Sequence, residues 1–151
     1  MAMAVAYSGF CGELVHENRS GTKRAYVPDT LGSLAAMLDN TGSAVDELQY
    51  WPYGEIRNET GANSSPWTFV GLLGYFADGA TTLYARSRHL ALNYAQWLSV
   101  DPLWPREQAY QYVAGLPTTE VDPLGLSRRQ LPPLDSADDR GLDQHRHEVA
   151  G

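Results

Sequence analysis

Along the first 61 residues, apolar positions come in short stretches that alternate with polar ones, and each stretch ends at a glycine. In "GELVHE", "SAVDELQYW" and "GEIRNE" the apolar residues fall at alternating positions, the pattern of half-buried antiparallel strands whose side chains face opposite sides in turn. A weak period organises these stretches into "YSGFCGELVHENRSG" (7 to 21), "YVPDTLGSLAAMLDNTG" (26 to 42) and "YWPYGEIRNETG" (50 to 61). Each copy starts at a tyrosine, reaches a glycine, runs through an apolar stretch and closes in an Asn-containing turn. The early glycines Gly12, Gly32 and Gly54 are 20 and 22 apart, and the late ones Gly21, Gly42 and Gly61 are 21 and 19 apart. This is one hairpin-sized unit, repeated, and a meander is its natural assembly. "LGSLAAMLD" has helix propensity, but its place between Gly32 and Gly42 favours a strand pair or a strand with a bulge.

Beyond residue 62, aromatics at Trp67, Phe69, Tyr75 and Tyr84 alternate with small or polar residues, again without a long helical period. The exception is "YARSRHLALNYAQWLSV", where Leu90, Tyr94, Trp97 and Leu98 fall at helical spacing and predict one short helix between 88 and 98. Two turns, "DPLWP" and "DPLGL", bracket a stretch in which Tyr110, Tyr112 and Val113 are expected to pack. In "VDPLGL" the proline after Asp122 fixes φ and Gly125 permits positive φ, so the turn is well specified. After Leu126 the chain becomes polar and charged, and disorder is expected. The predicted fold is mainly β: an antiparallel strand and hairpin meander with at most one short helix. The predicted divisions are repeat hairpins over 1–61, a second β segment over 62–126 and a polar tail over 127–151.

Composition narrows the classes. A chain of 151 residues suits one domain, and 14 Gly with 9 Pro favours many turns over long helices. A net charge of -7 leaves no electrostatic footprint for nucleic acid, so no nucleic-acid partner is expected. The single cysteine, Cys11, excludes an intramolecular disulfide and reads as a small, partly buried apolar residue. The sequence has no signal-peptide pattern and no apolar run long enough for a spanning helix, and the compartment stays open.

The motifs, taken in order, are more specific than any one of them. "YVPDTLGSLAAMLDNTGSAVDELQYWPYGEI", "PWTFVG", "LYARSRHLALNYAQWLSVDPLWP" and "YQYVAGLPTTEVDPLGL" together resemble the RHS repeat-associated core domain, the C-terminal region of RHS/YD-repeat proteins. The resemblance covers roughly residues 7 to 126. It implies the terminal part of a β-shell, whose core module plugs one end around a variable C-terminal segment. The implied partners are an upstream YD-repeat shell or the chain's own C-terminal segment, and family members are commonly secreted or surface-associated. With only about three repeats, the chain looks like a terminal fragment or a degenerate copy. Its unpaired first strand predicts self-association through an exposed edge.

In toxin-bearing members that this sequence resembles, two aspartates in successive "DPxG" turns cut the chain just after the second. Carried over by position, these are Asp101 and Asp122, 21 residues apart, with the scissile bond at Leu126/Ser127. Two adjacent carboxylates resist double ionisation, so one can hold a proton while the other activates water. The sequence departs from the pattern at Gln96, where the family has arginine, and at Trp104, where it has glycine. The same Asp-Pro pairs also read simply as turns.

Three functions stand side by side: a module that closes a shell and presents the tail, an aspartyl self-protease cutting after Leu126, and a surface repeat that binds carbohydrate or neighbouring cells. No cofactor or metal is expected. His145 and His147 read as solvated tail residues, and His16 and His89 as strand residues. A freed tail of 25 residues is too short for a separate toxin enzyme. The sequons at Asn18, Asn58 and Asn63 read as turn chemistry, the four tryptophans as packing, and Arg86 with Arg88 as partners for the acidic surplus.

Overall fold

The computed structural model describes residues 5–10, 13–62 and 65–131, with side chains from Leu14 onward. Cys11, Asn63, His145 and His147 lie outside the described residues, as does the tail from 132 to 151.

The repeat period becomes three hairpins. Strands β1 (Val5–Phe10), β2 (Glu13–Arg19), β3 (Thr22–Pro28), β4 (Leu34–Leu38), β5 (Ala44–Tyr50) and β6 (Ile56–Thr60) form one antiparallel sheet in chain order. The turn chemistry fixes their lengths. Asp29 Oδ1 accepts the amides of Leu31 and Ser33, and Asp39 Oδ1 those of Thr41 and Ser43. In both turns the glycine amide donates to the aspartate carbonyl at 3.1 Å. That geometry needs the left-handed backbone of Gly32 and Gly42 (φ 84° and 81°). The segment with helix propensity is β4, because both its ends are held by these turns and its inward side chains, Leu34 and Met37, find partners across the sheet.

Register shifts at Ser8/Gly9, Val27/Pro28, Met37/Leu38 and Gln49/Tyr50 interrupt the ladder near strand ends. Such bulges bend the strand and add to the right-handed twist that the sheet already has. Leu34, Met37 and Leu48 pack as a small apolar cluster on this sheet, edged by Tyr26, Val45 and Tyr50. The alternation expected along "GEIRNE" is not used for burial: β6 is exposed throughout, including Ile56, because it is an edge with no layer over it.

Backbone bonds from Leu34 to Thr68 and from Leu72 to Gly32 tie this sheet to the second half of the chain. There β7 (Phe76–Ala77), β8 (Thr82–Ala85), β9 (Arg88–Ala91) and β10 (Gln96–Trp97) form a four-stranded antiparallel sheet. A final pair joins β11 (Glu120–Val121) to β12 (Arg129–Gln130). The main core collects Phe69, Tyr75, Leu90, Trp97, Tyr112 and Val121, with Val70, Leu83, Ala85 and Val113 between them. Each large apolar side chain removed from water contributes about 1.5–3 kcal/mol, so this aromatic cluster is the main anchor of the second half.

The helix expected between 88 and 98 is absent. The segment is a hairpin, β9 to β10, joined by a single 3₁₀ turn at Leu92–Tyr94 and a left-handed Ala95 (φ 57°). Leu90 and Trp97 are buried and directly paired across it, whereas Tyr94 and Leu98 are exposed. Tyr112 and Val113 pack as expected, but Tyr110 is exposed. Among the described residues no helix is long and apolar enough to cross a membrane.

Candidate functional site

The turn at 122–125 follows the grammar of the repeat turns. The Gly125 amide donates to the Asp122 carbonyl at 3.1 Å, with Gly125 left-handed at φ 65°. The carboxylate, however, reaches further along the chain. Asp122 Oδ1 accepts the amides of Leu126 and Ser127, each at 3.0 Å, and so sits on the peptide at which the resemblance places the cut. Leu126 and Ser127 are exposed, while Asp122 itself is buried.

Asp101 also caps its own turn. Its Oδ1 accepts the Leu103 amide at 2.7 Å, and the Trp104 amide donates to its carbonyl at 3.0 Å. Trp104, standing where the family has glycine, is not left-handed, so this turn closes without the conformation that glycine would supply.

The two aspartates meet on Arg88, which the sequence reads only as a partner for the acidic surplus, without saying for which acids. Arg88 Nη2 binds Asp122 Oδ2 at 3.0 Å, and Nη1 lies 2.7 Å from Asp101 Oδ2. The second approach is an ion-pair contact. Nε donates to the Gly125 carbonyl at 2.6 Å, and the guanidinium stacks 4.1 Å from the centre of the Trp97 ring. All three charged groups are at most 6% exposed. Burial of that kind is costly unless charges are paired, and one cation between two carboxylates provides the pairing.

This changes the charge balance expected from sequence. Gln96 is exposed, and the cation beside the carboxylates comes from Arg88, the second arginine of the "YARSRH" motif. Arg86 does not share its face. It sits left-handed (φ 57°) in the turn between β8 and β9 and is exposed. The usable signal was an arginine on a strand between buried Ala85 and Leu90.

The frame around the site is apolar and close-fitting. Tyr75 donates its hydroxyl to the Asp122 carbonyl at 2.8 Å and accepts the Asp122 amide at 3.3 Å, fixing the backbone on which the carboxylate hangs. Burial first, then the neighbouring Tyr112, pushes the Tyr75 phenol well above its ordinary value. A Cβ on Gly125 would meet the Ala85 carbonyl at 2.5 Å, so the turn lies flush on the β8–β9 connection. Beside the carboxylates is a cavity of about 20 Å³, bordered by Arg88, Asp101, Asp122, Ser127 and Arg128. That is room for about one water molecule. The arrangement can therefore hold a peptide, a water and two carboxylates together.

Curved antiparallel hairpins in chain order, followed by a small β module with buried aspartate turns, define a segment of a YD-repeat shell. The chain belongs to the Teneurin YD-shell family, whose model matches residues 6–114. That span includes Arg88 and Asp101 and ends before Asp122. Solved structures agree on the fold. The crystal structure of TcdB2-TccC3-Cdc42 is similar with a TM-score of 0.72 at 23% identity, covering 82% of this chain and 6% of that one. TcdB2-TccC3 without its hypervariable C-terminal region gives 0.70 at 26% identity, with the same coverage. The Photorhabdus luminescens Tc holotoxin pore gives 0.70 at 23%, covering 87% of this chain and 7% of that one. The chain thus spans about 6–7% of the length of these structures. No curated protein matches the chain.

Proposed function

We propose that this chain closes one end of a β-shell built with further YD repeats and presents the segment that follows Leu126, in a system that encloses and delivers a C-terminal cargo. In this reading the repeat hairpins over 1–61 continue the shell, 62–126 form the closing core, and 127–151 begin the presented segment. Its partners are the rest of the shell and that segment. Support comes from family membership and from relatives described as TcdB2-TccC3 assemblies, one of them without a hypervariable C-terminal region. The open sheet edges at β1 and β6 offer the pairing that a longer spiral needs.

A second activity is favoured by one observation: the Asp122 carboxylate holds the nitrogen of the Leu126/Ser127 peptide bond and the amide just before it. Asp101 and Asp122 act here as a self-cleaving pair. A water in the adjoining cavity gives a proton to the Asp101 carboxylate and adds its oxygen to the Leu126 carbonyl carbon. The carbon–nitrogen bond then breaks as that proton passes to the Ser127 nitrogen, and transfer of the remaining carboxyl proton to the new amine leaves a Leu126 carboxylate and a Ser127 ammonium. Arg88 balances the charge on both carboxylates. Asp122 fixes the peptide in place.

The test is the intact mass, under denaturing conditions, of the chain tagged at both ends, beside Asp122→Asn. A break after Leu126 that is lost in the variant supports the self-protease. An uncut wild-type chain removes the cutting and leaves shell closure.

A further inference from the structure

The segment just beyond the expected cut does not leave the fold. Residues 129 and 130 form β12, paired with β11 in the register Glu120↔Gln130 and Val121↔Arg129. The Leu131 amide donates to the Thr119 carbonyl at 3.1 Å, and the Leu131 side chain packs against the main core. Arg128 Nη1 lies 3.2 Å from Glu120 Oε2 and its Nε 3.9 Å from Glu107 Oε1. Strand pairing, an apolar anchor and opposite charges thus act on four consecutive residues. All three are made by groups upstream of Leu126.

We infer that residues 128–131 are a docking strand, and that residues 119–121 with Glu107 form its receptor. The piece downstream of Leu126 then stays bound after the peptide is cut. The inference rests on the self-cleavage reading for its biological use, but the docking itself is independent of it. Scission would free an amine at Ser127 that already lies 3.0 Å from Asp122 Oδ1, so the new positive charge forms beside a carboxylate and strengthens a contact already made. Cutting and release become separate events. Release requires β12 to peel from β11, which the main-chain bonds, the Leu131 anchor and the Arg128 pairs all oppose.

The receptor also shares its strand with the chemistry. Val121, fully buried, precedes Asp122 directly, so a docked β12 helps to hold the strand that carries the carboxylate.

The experiment uses the full 151-residue chain tagged at both ends, its Leu131→Asp variant and its Glu120→Lys variant. Denaturing mass reads cutting, and co-capture through the amino-terminal tag in native buffer reads retention. Trypsin sensitivity after Arg128 and Arg129 reads docking whether or not the chain is cut. The expected result is a cut fragment that co-purifies with the body and separates in denaturant. In both variants whatever fragment is cut is lost on washing, and trypsin acts about tenfold faster. An uncut chain that still resists trypsin, with resistance lost in Leu131→Asp, supports the docking strand and removes only the self-protease. A fragment lost from the wild type on washing, or equal trypsin rates in wild type and variants, overturns the docking strand.

Discussion

Asp122 Oδ1 and the amide nitrogen of Ser127 lie 3.0 Å apart, so the side chain that caps a turn also holds the peptide just past it. The distance depends on how flat the turn lies. Gly125 rests against the Ala85 carbonyl with no room for a Cβ, and its left-handed backbone sends Leu126 back toward Asp122.

Gly125→Ala should therefore be disruptive beyond its backbone cost. At Gly21, also left-handed, a Cβ would meet nothing within 4 Å, and Gly21→Ala should cost only about 1 kcal/mol. Gly125→Ala should cost about 2–4 kcal/mol and abolish any cut after Leu126, since overpacking adds to strain. Urea unfolding and intact mass, run side by side on the two variants, check this. Equal costs would mean the turn at 125 has slack.

Arg88→Met leaves two buried carboxylates with no cation between them. Breaking a buried pair in this way should cost about 3–5 kcal/mol, measured as a lower urea midpoint. Arg88→Lys keeps the charge but cannot span both aspartates, bind the Gly125 carbonyl and stack on Trp97 at once, and should fall between the two.

Met37 is fully buried in the separate cluster on the six-stranded sheet. Met37→Ala should cost about 2–5 kcal/mol and leave the extent of any cut unchanged at temperatures where the chain stays folded. Loss of the cut in this folded variant would show that the chemistry depends on the repeats and not on the aspartate module alone.

The phenols of Tyr50, Tyr75 and Tyr112 are all raised above the ordinary value of 10.0, in each case chiefly by burial. Above pH 10 the folded chain therefore holds protons that the unfolded chain has lost. Their contribution to stability is complete below pH 10 and falls as pH rises beyond it. Alkaline titration should show a step in tyrosinate absorbance beyond pH 10 that coincides with loss of far-ultraviolet circular dichroism. A single smooth titration at constant structure would contradict this burial.

The hairpins over 5–60 were legible because strand alternation and glycine-closed turns are local properties, written within a few residues of where they act. The segment at 88–98 misled for a definable reason. Leu90 and Trp97 are seven apart, a spacing that places two residues on one face of a helix and, in a short hairpin, directly opposite each other. Only the left-handed Ala95, which no residue type announces, decides between them. Asp101 and Asp122 were legible through their motifs, but their meeting was not. It requires Arg88 from a different strand, and a buried cation shared by two acids leaves no mark in spacing.

The turn at Asp122 is built on the same plan as those at Asp29 and Asp39. All three use an aspartate carboxylate to gather nearby amides and a left-handed glycine to close the loop. In the first two the amides belong to the turn itself and the carboxylate has no further task. At Asp122 the reach extends by one residue, and the surroundings supply burial, an arginine and a second acid. The backbone shape of this turn therefore serves equally well in the open, at Asp29 and Asp39, and buried among charges, at Asp122. What sets Asp122 apart lies in its neighbours and not in the architecture that displays it.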